Sequence, residues 1–366
     1  MHIHILGICG TFMAGIAALA KSQGHKVTGC DQNVYPPMST QLNDLGIKII
    51  EGYDANQIKI KPNIFIIGNV ISRGNPLIES ILSNKLIYQS GPQWLFENIL
   101  YNKWVLAVAG THGKTSTTAM LTWILESNGL GPGFLIGGIP NNFKVSARLP
   151  ISNKKNSPSF FVIEADEYDT SFFDKRSKFI HYHPNTLILN NLEFDHADIF
   201  DNIEHIEKHF HHLIRTIPNI GKIIFNHDND SIKKVLKMGC WSETESFGSK
   251  AQWSYKKIND DELEIYFKNK SQGFIKWDLI GHHNSLNALA AIAAAKHVGI
   301  SSEKAIGSLN KFKNVKKRME LLGSIKGIDI YDDFAHHPTA IKTTLEGLRD
   351  KIGNKRIIAI IEPRSN

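Results

Sequence analysis

The chain has 366 residues, 42% hydrophobic and 21% charged, with a net charge of +7 and a pI near 9.1, which allows two or three soluble globular domains. No window approaches eighteen consecutive apolar residues, no basic leader precedes the first strand, and Cys9, Cys30 and Cys240 are too few for a disulfide framework, so a cytoplasmic protein with no membrane partner is expected. The lysines are scattered rather than gathered into a stripe with aromatics, which argues against nucleic acid and suits anionic phosphate substrates.

Residues 1 to about 100 alternate strand and helix: strands over 2–6, 26–29, 48–50 and 64–68, helices over 13–23 and 39–45. Such alternation predicts a parallel sheet covered by helices. Between the first strand and helix, Gly7-Ile8-Cys9-Gly10-Thr11-Phe12-Met13-Ala14-Gly15 is close to a dinucleotide fingerprint, but Cys9 replaces the second glycine and the third falls late. A nicotinamide site is therefore not expected, whereas a diphosphate resting on the helix N-terminus is. Asp31 follows the second strand, where an acidic residue often meets a ribose or base; the alternative is a tight turn that binds nothing. Ser72-Arg73-Gly74-Asn75-Pro76 and Ser90-Gly91-Pro92-Gln93-Trp94 read as loops between strand ends and helices, serving either ligand binding or turn chemistry alone.

The apolar run Trp104 to Ala109 reads as a buried strand, followed by Gly110-Thr111-His112-Gly113-Lys114-Thr115-Ser116 and a helix to Leu125. Strand, glycine turn, Lys-Thr and helix form the grammar of a nucleotide phosphate loop, although the usual spacing would put its first glycine at position 108, which is Val. Further strands are predicted over 160–163, 186–189 and 222–225. Two strand ends carry polar runs, Glu164-Ala165-Asp166-Glu167-Tyr168-Asp169 and Asn190-Asn191-Leu192-Glu193-Phe194-Asp195-His196-Ala197-Asp198. Parallel strands deliver these ends to one edge, so the acids and His196 should converge near the phosphate loop and hold magnesium. His205, His209, His211 and His212 lie on an amphipathic helix without a metal-site spacing and are read as solvated or packed. Antiparallel strands are expected within 251–280, over 252–256, 263–267 and 274–279. Then comes an alanine-rich helix from Gly281 to Val298, where Asn284 and Asn287 share a face and either touch a nucleotide or, for Asn284, cap the helix. Residues 310–327 read as a linker to a strand–helix–strand unit, with strands over 328–331 and 356–361 and a helix over 339–348.

Read together, Gly110-Thr111-His112-Gly113-Lys114-Thr115, Glu164-Ala165-Asp166-Glu167, Asn191-x-Glu193-x-Asp195-His196, His283-Asn284-x-x-Asn287, Arg318 and Asp332-Asp333-x-Ala335-His336-His337-Pro338 resemble the Mur ligases of bacterial cell-wall synthesis. The glycine loop of that family has its first glycine three residues before Gly-Lys, which removes the spacing mismatch. The resemblance implies an α/β fold of three domains: an N-terminal Rossmann-like domain over 1–101, a central P-loop ATPase-like domain over 102–322, and the start of a C-terminal Rossmann-like domain over 323–366. The activity it implies uses ATP and Mg2+ to join UDP-N-acetylmuramate to an amine through an acyl phosphate. Flanking segments such as Phe172-Phe173-Asp174-Lys175-Arg176-Ser177-Lys178-Phe179 resemble the members that recycle murein tripeptide, with L-alanine as the alternative amine.

By the match, Gly110 to Ser116 would hold the ATP phosphates, with Lys114 on the β/γ-phosphates; Thr115 and Glu164 would ligate magnesium, and His196 a second magnesium beside the substrate carboxylate. Asn284, Asn287, Asp332 and Asp333 would face the nucleotide, and Arg318 would act at the domain junction. Gly7, Gly10, Thr11, Phe12, Met13, Gly15, Asp31 and Ser72 would hold the UDP-sugar. No general base and no oligomeric state follow from these motifs. Family members continue beyond the position matching Asn366, so a chain that truly ended there would be expected to bind both nucleotides while ligating weakly, in the limit a UDP-sugar-binding remnant.

Overall fold

The computed structural model describes residues 1–151, 158–194 and 199–362. The expectations placed on Asp195, His196, Ala197 and Asp198 therefore fall outside the described residues.

The first sheet is built from β1 (His2–Leu6), β2 (Lys26–Asp31), β3 (Lys48–Glu51), β4 (Ile64–Ile67) and β5 (Tyr88–Ser90), in the order β3-β2-β1-β4-β5 with every pair parallel. Side chains alternate between its faces. Ile3, Ile5 and Ile66 pack toward α1 (Thr11–Ser22), whereas Leu6, Phe65 and Ile67 pack with Leu77, Ile78 and Ile81 of a helix over Pro76–Ser83. Burial on both faces explains why these strands read as continuous apolar runs. Of the two stretches read as loops, Ser72 to Asn75 is a turn that leads into a helix at Pro76, whereas Gly91 to Trp94 is itself helical. Asn75 accepts from the N–H groups of Leu77 and Ile78 ahead of Pro76, and the Ser90 hydroxyl accepts from Gln93 N–H to start Gly91–Leu95.

The second sheet has ten strands among the described residues. Its parallel centre is β6 (Trp104–Ala109), flanked by strands over Phe160–Ala165 and Thr186–Leu189, with Lys222–Asn226 and Glu243–Phe247 beyond. The expected antiparallel edge is present as Trp253–Lys257, Glu262–Phe267 and Lys270–Lys276. On one face Leu106 and Val108 pack against α2 (Lys114–Ser127) and α3 (His282–His297). On the other, Val105, Ala107 and Ala109 belong to a hydrophobic cluster that runs without a break into the first domain through α1. Gly15 lies at that seam: a Cβ there would meet Leu135 Cγ at 3.1 Å. The phosphate loop and the first domain's glycine turn are thus held on one continuous core.

After the alanine-rich helix the chain departs from expectation. Residues 310–327 are not only a linker, because Glu320–Ile325 pairs antiparallel with Ile328–Asp332 as a hairpin, followed by α4 (Pro338–Ile352). Arg356–Ile361, expected as a strand, is extended chain without a ladder; among the described residues no strand lies beside it to take its N–H and C=O groups. No helix among the described residues is long and apolar enough to cross a membrane.

Candidate active site

The phosphate loop leaves the C-terminal end of β6, where the sheet presents an open edge. Gly113 has φ +79°, and a Cβ there would approach Asn287 Oδ1 to 2.7 Å, so both backbone and space demand glycine. Lys114 begins α2, and its ammonium donates to the Gly110 carbonyl (2.7 Å) and to Glu167 Oε2 (2.8 Å). Burial pushes the Lys114 pKa down, but Glu167 and Asp166 outweigh it and hold the ammonium above its usual range. The loop is pinned by Asn191, whose Oδ1 accepts from His112 N–H (2.7 Å) and whose amide donates to the His112 carbonyl (3.0 Å). Thr111 closes a second contact, its hydroxyl accepting from Glu193 N–H at 2.9 Å. Ser116 is buried in the first turn of α2.

Thr115 Oγ1 donates to the Glu164 carboxylate (3.1 and 3.0 Å), which also accepts from Gly137 N–H (2.8 Å). Burial raises the Glu164 pKa despite Lys114, these donors and Arg318 nearby. A hydroxyl beside a carboxylate is an oxygen donor set that suits magnesium, and a divalent cation would offset the desolvation of that carboxylate. Asn287 is buried with its Oδ1 beside Gly113 and accepting from Asn190 Nδ2, while its own Nδ2 has no hydrogen-bond partner, an unmet donor that a nucleotide oxygen would satisfy. Asn284 behaves differently: its amide donates to the Ile280 carbonyl at 2.7 Å and fastens the helix start.

Around the first domain's turn, Gly10 N–H donates to the Gly7 carbonyl and Ala14 N–H to the Gly10 carbonyl, so the loop folds directly into α1 with Thr11 as its first residue. Asp31 was expected to meet a ribose or base. Its carboxylate braces the loop, accepting from Cys9 N–H (2.8 Å), Asn33 N–H (3.1 Å) and the Tyr53 hydroxyl (3.4 Å). Of the other expected ligands of the sugar nucleotide, Met13 is buried beside Gly91, and Gly15 faces Leu135 and Ala147. Ser72 is exposed in a turn, its carbonyl accepting from Asn75 N–H.

Phe12 also reaches the central domain, stacked on Tyr182 with centroids 6.5 Å apart. Lys178, which lies in the segment Phe172 to Phe179 but was given no role there, has its ammonium 5.7 Å from the Phe12 ring and 5.5 Å from Tyr168, and donates to Asp166 Oδ2 at 2.7 Å. It follows a short hairpin of Asp169–Ser171 and Asp174–Ser177. A buried cation between the two glycine turns is well placed for an anionic substrate.

At the junction with the C-terminal segment, Asp333 accepts from Met319 and Ala335 N–H (both 2.8 Å), while Asp332 lies opposite Glu320 in the hairpin. Asp333 therefore holds the junction together. Arg318 rests its guanidinium 5.1 Å from the Phe334 ring. His283 was quoted in its motif without a role; burial pushes its pKa down to about 4 against the pull of Asp333, and Nδ1 has no partner. The signal for His283 lay beside Asn284, and that for Glu167 three residues past Glu164 in the same acidic run.

Three stretches match descriptions of known families: "Mur ligase family, catalytic domain" over residues 2–101, "Mur ligase middle domain" over 108–295, and "Mur ligase, glutamate ligase domain" over 317–366. A UDP-N-acetylmuramate–L-alanyl-γ-D-glutamyl-meso-2,6-diaminoheptandioate ligase from Escherichia coli (strain K12) is 56% identical, covering 100% of this chain and 79% of the relative. The chain belongs to the Mur ligase family. Among Mur ligases of known structure, a murein peptide ligase from Psychrobacter arcticus is 46% identical with a TM-score of 0.86, matching 100% of this chain and 79% of that one. A Mur ligase named for L-alanine, from Desulforamulus reducens, is 31% identical over 99% of this chain and 76% of its own length.

Proposed function

We propose that this Mur ligase is the ATP-dependent amide-bond ligase that joins UDP-N-acetylmuramate to L-alanyl-γ-D-glutamyl-meso-diaminopimelate in peptidoglycan recycling, acting in the cytoplasm. The observation that carries the reading is 56% identity over the whole chain to a ligase of that name, against 31% to one named for L-alanine. On this reading residues 1–101 take the sugar nucleotide, 102–322 take ATP, and 323–366 begin the part that meets the amine.

A carboxylate is a poor electrophile. ATP supplies the phosphoryl group that activates it as an acyl phosphate; Thr115 and Glu164 would hold the magnesium ion, which would supply positive charge to the reaction. The protein's own groups do the positioning. Lys114 leaves part of its hold on Glu167 to meet the β- and γ-phosphates, with Gly110 to Ser116 presenting backbone N–H groups and the dipole of α2 behind them. Asn287 turns its unmet amide to the nucleotide. The turn from Gly7 to Phe12 offers N–H donors to the diphosphate of the sugar nucleotide, and Lys178 draws the anionic end of that substrate toward the phosphate loop. Arg318 adds charge where an oxyanion develops.

Substituting Lys114→Ala tests the division of labour. Phosphate release should fall at least about 100-fold, the usual worth of a preorganised charge at a developing anion, while calorimetry still records binding of UDP-N-acetylmuramate; loss of both would make the loop a structural turn.

A further inference from the structure

His112 of the phosphate loop, Glu193 beyond the strand Thr186–Leu189 and His337 at the start of α4 each bring one potential ligand atom within 4.8 Å of the others. They come from three separate stretches of the chain. His112 Nε2 and Glu193 Oε2 are 3.5 Å apart. A tetrahedral ion with bonds of 2.0–2.1 Å separates its ligands by about 3.4 Å, so this pair already has the required spacing. The His112 and His337 rings stand 4.6 Å apart at 44°, neither stacked flat nor edge on. Thr339 Oγ1 donates to Glu193 Oε2 at 2.8 Å and fixes the carboxylate's direction, as outer hydrogen bonds do around metal ligands.

The donor chemistry differs from that of the pair Thr115 and Glu164. Two imidazoles with one carboxylate favour zinc, cobalt or nickel over magnesium, which prefers oxygen alone. His337 Nδ1 accepts from Thr339 N–H over a long 3.3 Å, and ligation through Nε2 would move the ring proton to Nδ1 and release that contact.

We infer that His112, Glu193 and His337 form a site for a divalent transition ion of the zinc class, separate from the magnesium pair, that fastens the start of α4 onto the phosphate loop. Three protein donors leave one tetrahedral position for solvent. The inference does not depend on the reaction proposed above.

The test is zinc chloride titrated calorimetrically into the full chain after chelator treatment, in the absence of nucleotide. One equivalent should bind and raise the thermal midpoint. Affinity should fall at least about tenfold in His337→Ala and in Glu193→Gln, as expected when one of three ligands is removed, with the metal-free midpoint of each variant serving as the check on folding. The visible spectrum of cobalt(II) in the wild-type protein should be that of a tetrahedral rather than an aqueous octahedral ion. Unchanged zinc affinity in both variants would overturn the site. So would loss of binding in the pair His205→Ala and His209→Ala, whose rings lie 5.0 Å apart on another helix and form the obvious competitor.

Discussion

Lys114 and Glu167 are a buried ion pair at 2.8 Å, with side-chain exposures of 12% and 3%. At that depth removing one partner costs more than the pair itself contributes, because the other charge stays desolvated. Lys114→Ala should therefore lower unfolding stability by about 3 kcal/mol, and adding Glu167→Gln should restore part of that, a coupling that a double-mutant cycle in urea would read directly. His4 makes a second residue-scale case. Its Nδ1 meets Thr28 Oγ1 at 2.8 Å and its Nε2 meets Gln57 Oε1 at 3.1 Å, and burial pushes its pKa from 6.5 down to about 4. The unfolded chain then binds the proton more readily than the folded one. The stability that His4 contributes is complete above about pH 6.5 and is lost as pH falls toward 4, by roughly 3 kcal/mol in all. His4→Gln should flatten the slope of unfolding free energy against pH in that window; an unchanged slope would mean that His4 is not buried neutral.

Among the elements, the helix that starts at His282 matters to the phosphate loop because Asn287 lies against Gly113. Gly113→Ala brings a Cβ to 2.7 Å from Asn287 Oδ1 at a positive φ, so it should cost roughly 1–3 kcal/mol and weaken nucleotide binding, whereas binding of the sugar nucleotide is spared. The hairpin ahead of Lys178 is tied by Asp174, which holds Arg176 at 2.7 Å and His181 at 2.9 Å. Lys178→Met should raise the KM for the sugar nucleotide about tenfold, the value of one charge-assisted contact, without changing that for ATP. An equal effect on both substrates would return Lys178 to a purely structural role. The elements that sequence periodicity located well were those buried on both faces: β1, β6 and the strand Thr186–Leu189 have the bounds expected of them. It failed where structure depends on a partner. Glu320–Ile325 exists because Ile328–Asp332 pairs with it, and Arg356–Ile361, equally apolar, has no neighbouring strand among the described residues and forms none. For Asp31, Met13 and Gly15 the contacts within the fold were not legible, since spacing says where a side chain lies along the chain and not what it packs against.

At the scale of the molecule, two glycine turns built on different sheets are held on one continuous hydrophobic core, with Phe12, Tyr182 and Lys178 between them. That arrangement is what a two-substrate ligase requires: one turn for a diphosphate carried by the substrate, the other for the phosphates of ATP. The motifs revealed both turns because each needs glycine and a helix start in fixed order. The aromatic and cationic bridge between them was not legible, because Phe12 lies more than a hundred and fifty residues before Lys178 and Tyr182 and meets them only in the fold. The account stands most directly on coupling between the two halves. Phosphate release by the purified chain should require UDP-N-acetylmuramate and the tripeptide together, appear with one amide product per phosphate, and fall away when L-alanine replaces the tripeptide; ATP hydrolysis that proceeds equally without either substrate would contradict it.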